Sequence, residues 1–169
     1  MAAPMFPVNT HRYDPYRTFK FQVIIDGRPV AGLKKMGALK KSTEAVKWRS
    51  AGDPSHERVM PGGTKYEPVT MEQGLTHDPV FEQWANLVNN IQGDAGMSLK
   101  NFRKDIIINV LNLQGQVAFT YKLYRAWVSE YQAMPELDAG NVTTVGIQTL
   151  TLQHEGWERD TSVAEPAEA

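Results

Sequence analysis

Apolar residues fall at every second position in several stretches of this 169-residue chain, and this period of two constrains the fold more than any other feature. In the first stretch, one face is formed by Phe19, Phe21, Val23 and Ile25 and the other by Lys20, Gln22 and Ile24, which predicts a strand beginning at Thr18. The Asp-Gly pair at 26–27 then favours a two-residue hairpin, because both central positions of a type I′ turn need a positive φ.

Further strands are predicted downstream, at 28–33, 67–75, 106–113, 117–129 and 142–157. In the strand over 117–129, the apolar face is predicted to run from Val117 through Leu123 to Trp127. These strands, joined by short turns, predict a mainly β (α+β) fold, an antiparallel β-barrel or sandwich with one packed α-helix and a long projecting hairpin.

One segment has helical spacing instead. Its apolar residues recur every three or four positions and Pro79 stands at its start, which predicts an amphipathic helix over about 79–91. The residues expected to pack this helix against the sheet are Phe81, Trp84, Leu87 and Val88, and Ile91 continues the same face.

The segment over about 34–65 is rich in lysine and arginine and offers little that could fill a core. Val46 and Trp48 alternate with charged neighbours, Val59 and Met60 mirror them, and a Gly-Asp-Pro turn at 52–54 lies between. This pattern predicts a long hairpin that projects from the domain. Because two strands alone bury too little apolar surface to be stable, we expect the hairpin to form an interface.

The chain is predicted to form a single folded domain over 18–158, as its length and composition favour. Residues 1–17 contain three prolines and few spaced apolar positions, which indicates an extended N-terminal arm. Residues 159–169 are acidic and are expected to form a flexible tail.

The net charge is −1, but the two halves of the chain differ in sign. Residues 1–70 contain 12 lysines and arginines against 6 acidic residues, whereas residues 71–169 contain 6 against 13. A basic segment in a nearly neutral chain indicates either docking onto the acidic part of another copy or binding of nucleic acid, and scattered solvated charges remain a third interpretation.

No enzyme signature is present in the sequence. The chain has no cysteine, and phosphate-loop, dinucleotide-binding and nucleophile-elbow motifs are missing. The four histidines show no metal-ligand spacing, and neighbouring His-Glu pairs at 56–57 and 154–155 would point to opposite faces of a strand. We therefore expect no catalytic, cofactor-binding or metal-binding residues.

A membrane helix and a secretory signal are likewise not expected. The longest run of strongly apolar residues is three, whereas a membrane helix needs about 20. The first five residues lack a basic segment followed by an apolar one.

Several motifs occur together in an order that resembles a known family. They are YRTFKFQVIIDGRPVAGLKKMGALKKSTEAVKWRSAGDP, then VMPGGTKYEPVTMEQGLTHDPVFEQWAN, then FRKDIIINVLNLQGQVAFTYKLYRAWVSEYQAMPELDA. From about Arg12 to Arg159, this arrangement is similar to the tail tube proteins of contractile-tailed phages and of phage-like contractile injection systems.

The resemblance implies a structural subunit of an inner tube, in which hexameric rings stack head to tail around a channel that conveys protein effectors or DNA through a target envelope. The implied partners are other copies of the chain, sheath, baseplate or tube-initiator and terminator proteins, and cargo in the lumen. The candidate subunit and ring interface residues are Lys40, Lys41, Trp48, Arg49, Arg58, Met60, Glu136 and Asp138.

The resemblance further implies assembly in a bacterial cytoplasm and incorporation into a virion tail or an extracellular or membrane-anchored injection particle. A phage tail and an injection system use the same subunit, and the sequence leaves both open. Two other functions also stay open at this point: a nucleic-acid-binding β-barrel module that uses the basic segment 34–65, and a small-ligand barrel or hydrolase.

Overall fold

The computed structural model describes residues 15–167, which form ten strands, one α-helix and a short 3₁₀ turn at Asp94–Gly96. The strands are β1 Phe21–Ile25, β2 Arg28–Pro29, β3 Leu33–Met36, β4 Lys41–Trp48, β5 Arg58–Tyr66, β6 Val69–Gly74, β7 Lys104–Leu111, β8 Val117–Gln132, β9 Ile147–Gln153 and β10 Gly156–Arg159. The helix is α1 Val80–Val88. None of the helices in this part of the chain has the length and apolarity needed to cross a membrane.

Two antiparallel sheets share the long strand β8. Sheet A has the order β2-β1-β7-β8-β10 and uses the first half of β8. Sheet B has the order β8-β9-β6-β3 and uses the second half. The strands β4 and β5 pair only with each other among the described residues and form a separate hairpin.

A bulge in β8 allows this one strand to serve both sheets. Tyr124 and Arg125 together lie opposite the single residue Asp105 of β7, and Arg125 has a φ of 51°. The Arg125 amide donates to the Asp105 carboxylate at 2.9 Å, and the Arg125 side chain forms an ion pair with Glu155 at 3.2 Å. An extra residue bends a strand and re-aims its side chains, so β8 turns here from sheet A into sheet B.

The hydrophobic core lies between the two sheets and is closed on one side by α1. It is built from alternating residues of both sheets: Val23, Ile25, Ile106, Ile108 and Leu123 from sheet A, and Val69, Met71, Leu150 and Leu152 from sheet B. From α1, Phe81 and Trp84 are buried, and Leu87 and Val88 pack half-buried against the same core. The Trp84 indole donates to the Phe102 carbonyl at 2.8 Å, so its polar atom is satisfied.

Buried amide side chains link the two central strands of sheet B to the start of the helix. Gln148 donates to Gln73 at 2.7 Å, and Gln73 in turn donates to the Ala31 carbonyl at 2.6 Å and to Asp78 at 3.3 Å. Tyr131 donates to Gln148 at 2.8 Å, and burial, with Glu82 nearby, raises the pKa of Tyr131. Because these groups satisfy one another, the network can lie inside the core at little cost.

The predicted mainly β, antiparallel fold with a single helix is confirmed, and of the two predicted forms it is the sandwich. Within residues 15–167 the strand ladder does not close into a barrel, because β3 and β2 lie at its two ends. The helix is shorter than predicted: it ends at Val88, since Asn89 is extended, and Ile91 is fully exposed instead of continuing the apolar face.

Two predicted single strands are each divided between elements. The segment predicted as 28–33 contains β2 and the first residue of β3, which belong to different sheets, and Gly32 turns the chain between them at φ 68°. The segment predicted as 142–157 forms β9 of sheet B and the start of β10 of sheet A, and its first residues are irregular. Lys34 and Lys35 lie in β3 and not in the hairpin.

The predicted apolar face of β8 was wrong beyond Leu123. The bulge at Arg125 shifts the alternation by one residue, so that Ala126 and Val128 are buried in the core. Trp127 therefore lies on the opposite face, in register with Gln153. Trp157, by contrast, packs against the core.

Substituting Phe81→Ala should lower the free energy of unfolding by about 3–5 kcal/mol, because the side chain is fully buried and its loss leaves a cavity. Denaturant unfolding of the unassembled protein measures the change. Gln83→Ala, at an exposed position of the same helix, is the matched control and should change stability by less than about 0.5 kcal/mol. Equal effects of the two substitutions would contradict the assignment of Phe81 to the core.

Candidate assembly surfaces

The β4–β5 hairpin is exposed along almost its whole length. Every residue of β4, and every residue of β5 except Tyr66, is exposed. Gly62 is needed where the two strands bulge, because a Cβ there would lie 2.9 Å from a Val46 methyl carbon and 3.2 Å from the Glu44 carbonyl oxygen. Asp53 fixes the tip by accepting hydrogen bonds from the Ser50 amide at 2.8 Å and from Arg58 at 3.1 Å.

One face of the hairpin brings together residues that the sequence analysis singled out. Met60 lies opposite Val46, and Arg58 lies opposite Trp48 with its guanidinium 5.4 Å above the indole ring. Trp48 is 43% exposed and Met60 is 48% exposed. Exposed apolar side chains grouped on one face of a two-stranded element indicate an interaction site.

The other predicted cations lie elsewhere on the hairpin. Lys40 and Lys41 stand at its base, where the Lys41 amine lies 5.7 Å from the centre of the Trp157 ring. Arg49 is near the tip and contacts the Asp53 carbonyl at 3.4 Å. Part of the positive charge is balanced within the hairpin, since Lys47 lies 3.7 Å from Glu57 and Arg58 pairs with Asp53.

Aromatic contacts fix the hairpin to the sandwich at its base. The Tyr66 ring meets His154 and Trp157 edge to face, with centroid distances of 6.0 and 6.3 Å. His154 Nε2 is 2.8 Å from the Glu67 carbonyl oxygen, one residue beyond β5. These contacts give the exposed hairpin a firm base.

Beside this base lies a mainly apolar cavity of about 420 Å³, which we call the basal cavity. The cavity also borders Arg17, Thr18, Lys20 and Gly37, and its apolar and aromatic lining consists of Tyr16, Phe21, Met36, Leu39, Ile108, Val110, Tyr121 and Trp157. The buried Trp157 indole nitrogen has no hydrogen-bond partner among residues 15–167. Sequence reasoning missed this cavity, because its lining comes from strands far apart in the chain.

Glu136 and Asp138 lie at the opposite pole of sheet B, in the irregular segment 133–146 that we call the acidic loop. Leu137, between these two carboxylates, is 70% exposed, and Met134 and Val145 are exposed as well. The acidic loop borders a surface pocket with a volume of about 410 Å³. Because β6 and β9 separate the two poles, the structure does not bring Glu136 and Asp138 to the hairpin of the same chain.

The outward face of sheet B is polar along most of its length. Its hydroxyl, amide and charged residues are Lys35, Thr70, Glu72, Glu130, Gln132, Thr149, Thr151 and Gln153, with Trp127 at the end near the hairpin. All of these are half-buried or exposed. On the two outer edges of sheet B, β3 and residues 127–132 of β8 have no further strand partner within residues 15–167.

The titratable groups with shifted pKa values do not form a catalytic constellation. A hydrogen bond from Tyr124 to Glu158 raises the pKa of the phenol, and hydrogen bonds from Ser162 lower the pKa of Asp160. Both groups lie on the surface at β8 and just after β10. Among residues 15–167, no group of three or more acidic or histidine side chains is placed to hold a metal ion.

Solved structures with the same fold include chains of the anti-feeding prophage and of an extracellular contractile injection system. A chain in the structure of the anti-feeding prophage tube-terminating cap aligns with a TM-score of 0.73 at 19% identity and covers 94% of this chain and 99% of that chain. A chain in the sheath-tube complex of the extracellular contractile injection system PVC, in the extended state, gives 0.69 at 19% identity, covering 86% and 91%. Hcp1 from Flavobacterium johnsoniae gives 0.52 at 14% identity, covering 82% and 93%.

Comparison with curated protein sequences gives no match. The family model for the T4-like virus tail tube protein gp19 matches residues 17–158, which include both sheets, the hairpin, the helix and the acidic loop. The matched family is one of tail tube proteins, which are structural proteins and not enzymes. The chain belongs to the T4-like virus tail tube protein gp19 family.

Proposed function

We propose that six copies of this chain form a ring and that rings stack head to tail into a hollow inner tube, which conveys protein effectors or DNA through a target envelope. Membership of the tail tube family supports a structural tube subunit in a phage tail or phage-like particle. In this proposal the tube assembles in a bacterial cytoplasm on a baseplate or tube initiator, inside a sheath, and ends at a terminator. In this proposal residues 18–158 form the tube domain, which follows the N-terminal arm, mostly outside the described residues, and precedes the acidic tail.

The observation that carries the proposal is the open sheet B with two unpaired edges. Its four strands alternate in direction, so β3 and β8 run in opposite directions. When neighbouring copies are related by rotation about an axis along the strands, β3 of one copy meets β8 of the next in antiparallel orientation. Unpaired edges invite such pairing, and a closed ring removes them.

Charge supports this choice of edges. β3 contains Lys34 and Lys35, and the β8 edge contains Glu130. Lys35 and Glu130 lie on the same, outward face of sheet B, so they would approach each other across the subunit boundary. Opposite charges on neighbouring strands favour pairing, although each such pair contributes only about 0.2–1 kcal/mol.

The same arrangement assigns the outward face of sheet B to the channel. The inner face of sheet B is covered by sheet A and α1 of the same copy. In a barrel built from six copies of sheet B, sheet A and α1 must therefore lie on the outside. Six copies of four strands exceed the 16–18 strands at which barrels already hold an aqueous channel. A wall rich in threonine and glutamine would then face the lumen.

Contacts between rings are assigned to the two poles of the molecule. The hairpin presents Trp48 and Met60 with Lys40, Lys41, Arg49 and Arg58, and the opposite pole presents Glu136 and Asp138. Unlike surfaces at opposite ends of one subunit generate an open-ended heterologous stack. These eight residues remain our candidates for subunit and ring interfaces.

Negative-stain electron microscopy and size-exclusion chromatography of the purified chain, at low and moderate salt, test the proposal. Hollow rings or stacked tubes are the expected result. Subunits of this kind can require a template, so a monomeric sample is next mixed with its purified baseplate. A chain that stays monomeric there would contradict the tube function.

Trp48→Ala should reduce assembly strongly while changing the free energy of unfolding of the unassembled chain by less than about 1 kcal/mol, because Trp48 is half exposed on the hairpin. Sedimentation of tubes and denaturant unfolding measure the two effects separately. Lys47→Ala, on the other hairpin face, is the control and should assemble nearly as the wild type does. Normal tubes from Trp48→Ala would show that the hairpin contact is misassigned.

Thr151→Cys should place a thiol inside the channel, and it is the only thiol in the protein because the natural chain has no cysteine. Tubes labelled with a thiol-reactive gold cluster after assembly should show gold within the bore. Labelling should be slow, because the cluster enters the bore only through the ends of the tube. Asn86→Cys, at an exposed position of α1, is the control and should give gold on the outer wall. Gold from Thr151→Cys on the outer wall would refute the assignment of the channel face.

A further inference from the structure

We propose that Leu137 of one copy inserts into the basal cavity of the next copy in the stack, with Glu136 and Asp138 facing the cations around that cavity. This contact rests on the proposed tube function and specifies how successive rings are joined. It pairs two surfaces that the fold leaves open at opposite poles of each subunit.

The basal cavity is suited to an apolar side chain between two carboxylates. Phe21, Ile108, Val110 and Tyr121 contribute to a lining that is more apolar than polar, and its volume of about 420 Å³ lies in the usual range of ligand pockets. A second copy supplies an occupant of the matching chemistry, whereas nothing within residues 15–167 fills the space.

The border of the cavity is cationic. Arg17 and Lys20 line it, and the Lys41 amine lies 5.7 Å from the ring centre of Trp157 in its wall. The Lys20 amine also donates to the Leu113 carbonyl, and this hydrogen bond holds the amine near the start of β1 and the end of β7. Three cations around an apolar opening favour a partner that carries apolar and acidic groups together.

The acidic loop presents such a group. Leu137 projects into solvent between two carboxylates, and the turn beside it is held by Asp138, which accepts a hydrogen bond from the Gly140 amide at 2.9 Å. At its far end, the loop is joined to Leu75, the residue after β6, by a hydrogen bond from the Leu75 amide to the Gly146 carbonyl at 2.9 Å. Because the loop is fixed at both places, less entropy is lost when it docks.

The positions of the two surfaces exclude a contact within one chain. The basal cavity adjoins the end of sheet B where Gly37 bonds to Thr70, and the acidic loop adjoins the end where Leu75 bonds to Gly146. The seven residues of β9 span this distance, which is roughly 20 Å at about 3.3 Å per residue. A contact from pole to pole therefore joins successive copies and repeats without closing.

Cysteine cross-linking tests the contact directly. A chain carrying both Leu137→Cys and Val110→Cys, assembled into tubes and then oxidised, should give a ladder of covalent multimers on a non-reducing gel. Each single variant, and the pair of Leu137→Cys with Asn86→Cys on α1, should give no ladder beyond dimers. Tubes that form normally but give no ladder from the Leu137–Val110 pair would overturn the proposal.

Charge exchange gives a second test that does not depend on thiol geometry. The double variant Glu136→Lys with Asp138→Lys should form rings but about tenfold fewer tubes or less, and Arg17→Glu with Lys20→Glu should do the same. Mixing the rings of the two variants should restore stacking into short alternating tubes. Full stacking by either variant alone, or no recovery on mixing, would contradict the contact.

The outcomes separate this inference from the proposed function. Rings and tubes that persist in Leu137→Asp would refute the contact and leave the tube function standing. A wild-type chain that forms neither rings nor tubes, even with its baseplate, would refute the tube function itself.

Discussion

The bulge of β8 at Arg125 is the constraint on which the rest of the structure depends. Because the Arg125 amide is held by Asp105 and its side chain by Glu155, one strand turns a corner and serves two sheets. The corner places the apolar faces of both sheets against each other, where Phe81 and Trp84 complete the core. The bulge also shifts the alternation of the residues that follow it in β8, so that Ala126 and Val128 point into the core.

What the corner leaves uncovered accounts for the assembly surfaces. Sheet B is joined to the rest of the subunit through the shared strand β8 and packs against it with its inner face, so its polar outward face and its two edges stay available. The hairpin and the basal cavity lie at one pole, and the acidic loop lies at the other. A ring needs two unlike edges on each subunit, and a stack of rings needs two unlike poles. This subunit leaves both kinds of surface open.

The local pattern of the sequence was sufficient for the class of fold and for most elements. Alternation predicted β1 and β9, the Asp-Gly pair predicted the first turn, and three- and four-residue spacing predicted α1 with its buried Phe81 and Trp84. The exposed hairpin was predictable because its residues could not fill a core. The errors came where the tertiary structure interrupted a period: at the bulge that reversed Trp127, at Gly32 between two sheets, and at the end of α1 before Ile91.

The sequence by itself determined which residues face a core and which segments turn, because these depend on side-chain period and on backbone φ. The family resemblance, too, could be read from motifs in order along the chain. Only the tertiary structure decided that the sandwich stays open, that Glu136 and Asp138 lie at the pole opposite the basic hairpin, and that distant strands enclose the basal cavity. The physical reason is that strand pairing and packing join residues far apart in the chain, and no local pattern specifies which edges and poles remain unpaired.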